Sequence, residues 1–329
     1  MPDQNHFFSN KTILITGGTG SFGQAFIKNI LSCSKPKKLI IFSRDEWKHS
    51  QMQENDPIFR DSCLRYFLGD IRDKERLHLA FRDVDYLIHA AALKQVPAAE
   101  YNPSEFVKTN IIGTMNVMDV AITSGIKKVI SLSTDKAAAP INLYGATKLC
   151  ADKLILSGKS YVGDRLEPKF SVVRYGNVLG SKGSLLPKWQ KMIKEGVQEL
   201  PITDERMTRF WITMDGAAKF VMECLIKMEG GEIFVPKLPS MKISDLAKAL
   251  APHIPLKICG IRPGEKLHEH LITKEEAQYT VENETHYIVY SYFNSKLSHK
   301  KVAVDFEYTS LNNNEWIGSA LLEKMLMPQ

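Results

Sequence analysis

The stretch TILITGGTGSFGQ, Thr12 to Gln24, sets Gly17, Gly20 and Gly23 directly behind an apolar run and ahead of the helical pattern SFGQAFIKNILS. Few folds accept that arrangement. Glycine permits a tight turn, and its missing Cβ lets backbone N–H groups approach a pyrophosphate at a helix N-terminus. A GxGxxG alone is weak evidence. Here the spacing is GxxGxxG, the context is strand–loop–helix, and the motif opens the chain. The competing reading is a strand–helix turn that is merely tight.

The same alternation continues. KLIIFS (38–43), LRYFLG (64–69), VDYLIHA (84–90), KVISLS (128–133) and FSVVRYG (170–176) are short apolar runs separated by longer segments. One of these, PSEFVKTNIIGTMNVMDVAITSG, has apolar residues at helical spacing and a stop at Gly125. Continuously apolar strands alternating with helices predict an α/β fold, a parallel sheet covered on both faces. After Tyr175 charges, Gly and Pro become denser and elements shorten. GEIFVP (231–236) reads as a strand returning to the sheet, and SMKISDLAKALAP as a helix capped by Ser240 or Ser244 and closed by Pro252. The expected division is therefore a dinucleotide-binding domain over 1–176, with the returning strand, and mostly a smaller lobe and tail over 177–329.

With 329 residues, 44% of them apolar, the chain can bury a core of that size. A net charge of +6 is mild and comes without a long basic run, so it suits a small anionic ligand and argues against nucleic acid. Five cysteines, an odd number without a CxxC pair, argue against a disulfide framework or a zinc site and for a reducing compartment. The N-terminus lacks an apolar signal region, and no run approaches the ~18 residues needed to span a bilayer. The expectation is a soluble, cytoplasmic protein with no membrane partner.

The end of the second strand bears on the cofactor. An acid there suits the ribose hydroxyl of NAD, and a basic group suits the phosphate of NADP. In FSRDEWK, Ser43 and Arg44 precede Asp45 and Glu46, which favours NADP; Lys48 can add a second cation. The alternative is that Arg44 is a solvated surface residue. In GDIRD, Asp70 and Ile71 are placed to flank the adenine.

Tyr144 and Lys148 lie one turn apart on one face of a helix. A phenol ionises near pH ~10, and a neighbouring ammonium favours the phenolate. The pair thus makes a proton acceptor for an alcohol whose hydride leaves to a nicotinamide. Such pairs are common in helices; after the fifth strand of a nucleotide-binding fold the pair gains weight.

At this point the chain resembles the extended short-chain dehydrogenases/reductases, and within them the inverting UDP-N-acetylglucosamine 4,6-dehydratases of the pseudaminic acid pathway. The resemblance rests on TGGTGSFG, HAAALKQVPAAEYNP, STDKAAAPINLYGATK, VVRYGNVLGSKGS, ITDERMTRFWIT, GGEIFVPKLPSMKISDLAKALAP, IRPGEKLHE and DFEYTSLNNN. It implies a doubly wound, Rossmann-type sheet with a C-terminal substrate-binding lobe, and NADP held by Gly17, Thr19, Gly20, Ser21, Phe22, Gly23, Ser43, Arg44, Lys48, Asp70, Ile71, Ala90, Thr109, Tyr144 and Lys148. It also implies catalytic Thr134, Asp135, Lys136, Tyr144 and Lys148. Retaining sugar dehydratases carry Thr-Asp-Glu where this chain has Thr134, Asp135 and Lys136; an amine there can remove the C5 proton and let it return on the other face. Burial beside cations is expected to lower the pKa of Lys136; otherwise Lys136 is a salt-bridged or phosphate-contacting lysine.

For UDP-N-acetylglucosamine the resemblance points to Arg209 and Arg262 on the diphosphate and to Asn177 on the pyrophosphate. Glu265 is expected at ribose hydroxyls, Lys94 near the sugar, and Thr203 as a weaker contact. A homo-oligomer, with a hexamer as one form, is implied too. His89 reads as a hydrogen-bonded core residue. His268 and His270 show no third ligand, so no metal is expected, and Phe210 and Trp211 read as packing. The competing activities are a retaining dehydratase, a 4-epimerase, or an NADP-binding protein without catalysis. An epimerase needs no acid–base pair beside Tyr144.

Overall fold

The computed structural model describes residues 4–163, 167–291, 300–318 and 322. The apolar runs of the first half are strands β1 (Thr12–Thr16), β2 (Lys38–Ser43), β3 (Leu64–Leu68), β4 (Tyr86–His89), β5 (Lys128–Thr134) and β6 (Lys169–Tyr175). The rest of the chain adds β7 (Asn177–Val178), β8 (Leu200–Ile202), β9 (Thr208–Ile212), β10 (Glu232–Pro236), β11 (Ser240–Lys242) and β12 (Leu256–Ile258). Last come β13 (His270–Ile272), β14 (Thr280–Glu282), β15 (His286–Tyr290) and β16 (Tyr308–Thr309).

Among the described residues nine strands form one sheet in the order β14-β15-β10-β6-β5-β4-β1-β2-β3. From β10 to β3 every neighbouring pair is parallel, and β15 and β14 extend the sheet antiparallel. β1 and β4 are buried along their whole length, which is why their sequences run apolar without alternation. Strand order reverses between β1 and β4, so the loops behind them part and leave a crevice at the carboxyl ends. Gly17 follows β1 and Ala91 follows β4. A Cβ on Gly17, whose φ is +70°, would meet the Ala91 backbone at 3.0 Å. Glycine there keeps the floor of the crevice narrow.

The returning strand is β10, paired with β6 through Ile233↔Val172 and Phe234↔Val173. A second, smaller core gathers Leu179, Leu186, Trp189, Leu200, Trp211 and Leu246, with the short sheets β11-β9-β7 and β12-β8 beside it. Residues 292–299, 319–321 and 323–329 of the expected tail lie outside the described residues.

Two local expectations are corrected. Neither Ser240 nor Ser244 caps the later helix. Ser240 pairs with Phe210 as part of β11, and the helix spans Ile243–Leu250 without a side-chain cap, because strand pairing to β9 claims the residues ahead of it. The helical stretch from Pro103 to Thr123 is also not uniform. It widens to a π-type turn over Val107–Ile112, which buries Thr109 and Asn110. Asn110 then clasps the loop after β4, accepting from Leu93 N at 2.8 Å and donating to Leu93 O at 2.9 Å and to Thr147 Oγ1 at 3.0 Å. Among the described residues no helix is long and apolar enough to cross a membrane.

Candidate active site

A cavity of about 1070 Å³ opens along the carboxyl ends of the strands. At one end the helix Ser21–Cys33 begins at Gly20 with no side-chain cap, so its first N–H groups are left for a ligand. The glycines form a cradle that side chains would fill. A Cβ on Gly20 would lie 3.1 Å from Gly17 O, and one on Gly23 would run into the Gly18 backbone. The Thr109 hydroxyl lines the same cavity, buried and without a hydrogen-bond partner in the structure. Uncapped N–H groups, a side-chain-free cradle and an orphaned hydroxyl fit the diphosphate and ribose of a dinucleotide.

Of the residues expected at the cofactor, Gly17, Thr19, Gly20, Ser21, Phe22, Gly23, Ser43, Arg44, Lys48, Asp70, Ile71, Ala90, Thr109, Tyr144 and Lys148 all line this cavity. Thr19 and Ser43 share a hydroxyl–hydroxyl bond of 2.8 Å beneath the exposed Arg44. Asp45 also lines the cavity but caps the helix Glu46–Asn55, accepting from Lys48 N at 3.1 Å and pairing with Lys48 Nζ at 3.0 Å. Asp70 is held by Arg72 at 2.7 Å and lies 3.5 Å from Arg44.

The residues expected to be catalytic lie where β5 runs into the short turn Asp135–Ala137 and the helix Leu143–Val162 packs against it. Asn142 caps that helix through Gly145 N at 2.8 Å. Its first turns carry Tyr144 and Lys148, both buried. Lys148 Nζ donates to Leu132 O at 2.7 Å, and burial pulls its pKa down against the pull of Asp152. Tyr144 corrects the expected direction. Burial pushes its phenol up, and the hydroxyl of Thr134 opposes this only in part. Lys148 Nζ points to Leu132 O, and the expected phenolate-favouring effect does not outweigh burial.

Lys136 is corrected as well. Burial alone would lower its pKa, but the Asp135 and Glu269 carboxylates outweigh it and the net shift is upward. Its Nζ lies 2.9 and 3.1 Å from the two oxygens of Asp135, 3.1 Å from Asn177 Oδ1 and 3.4 Å from Glu269 Oε1. Asp135 is fully buried behind it, and that burial raises the carboxyl's pKa against the pull of Lys136. Thr134 Oγ1 donates to Asp135 Oδ1 at 2.8 Å.

The cavity lining also contains Thr134, Lys136, Lys94 and Asn177, but not Thr203, Arg209, Arg262 or Glu265. Contrary to the expectation of an open phosphate clamp, Arg209 is buried and donates to Thr208 O at 2.7 Å, Lys266 O at 3.0 Å and Leu267 O at 3.1 Å. Arg262 and Glu265 are paired with each other at 3.1 Å. Thr203 Oγ1 is turned to Met207 Sδ at 2.9 Å. Sequence reasoning missed Glu269, Gln95, Trp47 and the loop Ser181–Ser184, whose Lys182 N donates to Ser21 Oγ at 3.2 Å and so ties the second lobe to the glycine-loop helix. The last E of the quoted IRPGEKLHE was the available signal for Glu269.

His89 is a core residue as expected. Thr114 donates to Asn110 O at 2.7 Å and therefore accepts from His89 Nε2 at 3.0 Å, leaving Nδ1 to accept from Thr16 Oγ1 at 2.8 Å. Burial lowers its pKa to about 3. Among the described residues no group of His, Cys, Asp and Glu is arranged to hold a metal ion.

Three comparisons bear on this geometry. The UDP-N-acetylglucosamine 4,6-dehydratase (inverting) of Campylobacter jejuni subsp. jejuni serotype O:23/36 (strain 81-176) is 52% identical over 321 residues, covering 94% of this chain and 95% of that protein. A UDP-glucose 4-epimerase of Rickettsia akari (strain Hartford) is 40% identical over 276 residues, 82% of this chain and 80% of that one. The X-ray structure of Pen from Bacillus thuringiensis superposes with a TM-score of 0.89 at 38% identity, covering 97% of this chain and 98% of that one. The model of the polysaccharide biosynthesis protein family matches residues 13–291, and the chain, with its cavity and the Asp135–Lys136 and Tyr144–Lys148 pairs inside that span, belongs to this family.

Proposed function

We propose that the chain is a nucleotide-sugar 4,6-dehydratase that converts UDP-N-acetylglucosamine to its 4-keto-6-deoxy derivative with inversion at C5. The observation that carries this reading is the Asp135–Lys136 pair, 2.9 Å apart, with Lys136 lining the cavity beside Tyr144 and Asp135 buried directly behind it. One proton moved along that contact turns an ion pair into a carboxylic acid beside a free amine. Those are the two groups the elimination needs.

A bound nicotinamide dinucleotide would supply a reversible hydride acceptor, for the hydride leaving C4 and reaching C6, and a positive ring charge that favours phenolate. Tyr144 takes the C4 hydroxyl proton, with Lys148 beside it. The 4-ketone acidifies C5–H, and Lys136 removes that proton. Asp135 protonates the leaving C6 hydroxyl, so one water departs and the C5–C6 double bond forms. C5 then receives a proton on its other face. The balance is loss of one water with no net redox change. Burial favours the acid form of Asp135, the state this step uses.

NADP is the proposed cofactor. Arg44 and the Thr19–Ser43 hydroxyl pair offer a 2′-phosphate donors, while Asp45 is committed to a helix cap and does not compete for a ribose hydroxyl. By resemblance the product, UDP-2-acetamido-2,6-dideoxy-β-L-arabino-hexos-4-ulose, enters pseudaminic acid synthesis for surface or flagellin glycosylation, and the enzyme is a homo-oligomer. The epimerase reading draws on the 40% identity to the Rickettsia protein. An NMR time course with UDP-N-acetylglucosamine in deuterated water separates the two. Dehydration gives a C6 methyl signal and deuterium at C5; epimerisation leaves the C6 hydroxyl in place and refutes the proposal. Lys136→Ala should abolish C5 exchange, and unchanged incorporation would remove its role.

A further inference from the structure

The catalytic turn faces an acid that the reaction scheme above does not use. Glu269 comes just before β13 and is 2% exposed. Its backbone is pinned from both directions. Glu269 N donates to Ser310 Oγ at 2.9 Å, and Ser310 N donates to Glu269 O at 2.8 Å. The carboxylate is thus held against the turn by a strand end, not by a flexible loop.

The groups around it are few. Oε1 lies 3.4 Å from Lys136 Nζ and 3.6 Å from Arg209 Nε, and Oε2 lies 3.9 Å from Lys266 Nζ. Lys136 is its shortest charged contact. Arg209 has other partners, the three backbone carbonyls and Glu265 at 3.9 Å, so it does not need Glu269 for satisfaction. The charges facing Lys136 are Asp135 on its own turn, Glu269 from before β13, Arg209 from β9 and Lys266 from the same segment as Glu269; Asn177 from β7 adds a neutral acceptor. Asp135 alone would suffice to orient the amine. A second carboxylate, 3.4 Å from the amine, does something else: it opposes loss of a proton from Lys136, because its charge favours the ammonium.

We infer that Glu269 is a positioning residue for the proposed reaction, holding the Lys136 amine at the cavity between two carboxylates and setting the pH at which that amine gives up its proton. This rests on the reading of Lys136 as the C5 base. Three cations lower the pKa of Glu269 itself against its burial, so it stays charged while Lys136 titrates. Its charge raises the proton affinity of both members of the Asp135–Lys136 pair. Removing it therefore makes the free-amine form available at lower pH.

The test uses the full chain with 13Cε-labelled lysine, the Lys136 signal being assigned as the one lost in Lys136→Arg. Glu269→Gln should move the Lys136 titration midpoint down by about one pH unit, the usual size for an opposite charge at this range. The acid limb of the rate–pH profile for C5 deuterium incorporation should move the same way, about tenfold in proton concentration. Glu269→Asp keeps the charge one methylene farther back and should give a smaller shift in the same direction. A wild-type midpoint in whichever variant folds overturns the inference. If the wild type does not dehydrate UDP-N-acetylglucosamine but the midpoint still moves, the proposed function fails while the control of the Lys136 proton by Glu269 stands.

Discussion

Gly145 should be irreplaceable for a reason that has nothing to do with its helix. It sits in the first turn of the helix Leu143–Val162, where alanine is ordinarily better by up to ~1 kcal/mol. A Cβ built on it, however, would fall well inside van der Waals contact of Lys136 O and lie 3.0 Å from Pro140 Cβ. Tyr144, Thr147, Lys148 and Ala151 bury the helix and Asp135 and Ala137 bury the turn, so the clash is relieved only by moving the two apart. A retreat of roughly 1 Å restores ordinary packing. That is enough to break the contacts of Lys136 Nζ with Asp135 at 2.9 Å and Asn177 at 3.1 Å. Misplacement of that size costs about a hundredfold in rate, or ~2.7 kcal/mol of barrier. The assay is turnover of saturating UDP-N-acetylglucosamine by Gly145→Ala, with C5 deuterium incorporation followed by NMR. NADP affinity should fall much less than turnover, because the glycine cradle and Arg44 belong to other elements and Tyr144 and Lys148 stay on the buried helix. A variant within about threefold of wild-type turnover would refute the claim that the turn is pinned by backbone contact.

His89 has a low folded pKa, about 3, and an ordinary one near 6.5 when unfolded, so the unfolded chain takes up the proton first as pH falls. Stability from this group is complete above about pH 6.5 and shrinks below it, by ~2 kcal/mol at about pH 5. Urea unfolding of wild type and His89→Gln at about pH 7.5 and 5 checks this; an equal loss in both would show the titration is elsewhere. Arg44→Ala should weaken NADP binding by about tenfold or more and NAD binding much less, read from cofactor fluorescence titrations; equal weakening would remove the 2′-phosphate assignment. Arg174 is buried between Glu276 at 2.9 Å and Asp152 at 3.7 Å. Arg174→Met should therefore cost ~3–5 kcal/mol in urea unfolding by stranding two carboxylates, and a loss under about 1 kcal/mol would mean the acids neutralise without it.

The strands were legible because burial on both faces writes itself as unbroken apolar runs. β1 and β2 match their expected bounds, and the glycine loop sits where a switch-point crevice needs it. The two pairs proposed as catalytic were legible as neighbours because each is local, two adjacent residues and two one turn apart. What was hidden is non-local. Nothing near Lys136 in the chain announces Glu269, which arrives 133 positions later through the pairing of β13 with β16. The direction of the Lys136 and Tyr144 pKa shifts was misjudged for the same reason: a charge's sign is readable from sequence, its neighbours are not. Arg209 was read as a diphosphate clamp because composition cannot show that it is buried with three backbone carbonyls on its terminal nitrogens.

The hydrogen bond from Lys182 N to Ser21 Oγ gains a meaning under the proposed cycle. A dehydrogenase must exchange its dinucleotide every turnover, and a loop fastened across the phosphate end would throttle it. The proposed cycle regenerates its own oxidant, so nothing is gained by letting the dinucleotide go. Lys136 and Asn177 line the same cavity as Ser21 and Lys182, so under the proposed cycle the sugar would exchange without this contact having to break. Under that cycle the dinucleotide behaves as a prosthetic group, carried through purification with the chain, and the traffic through the cavity is in sugar alone.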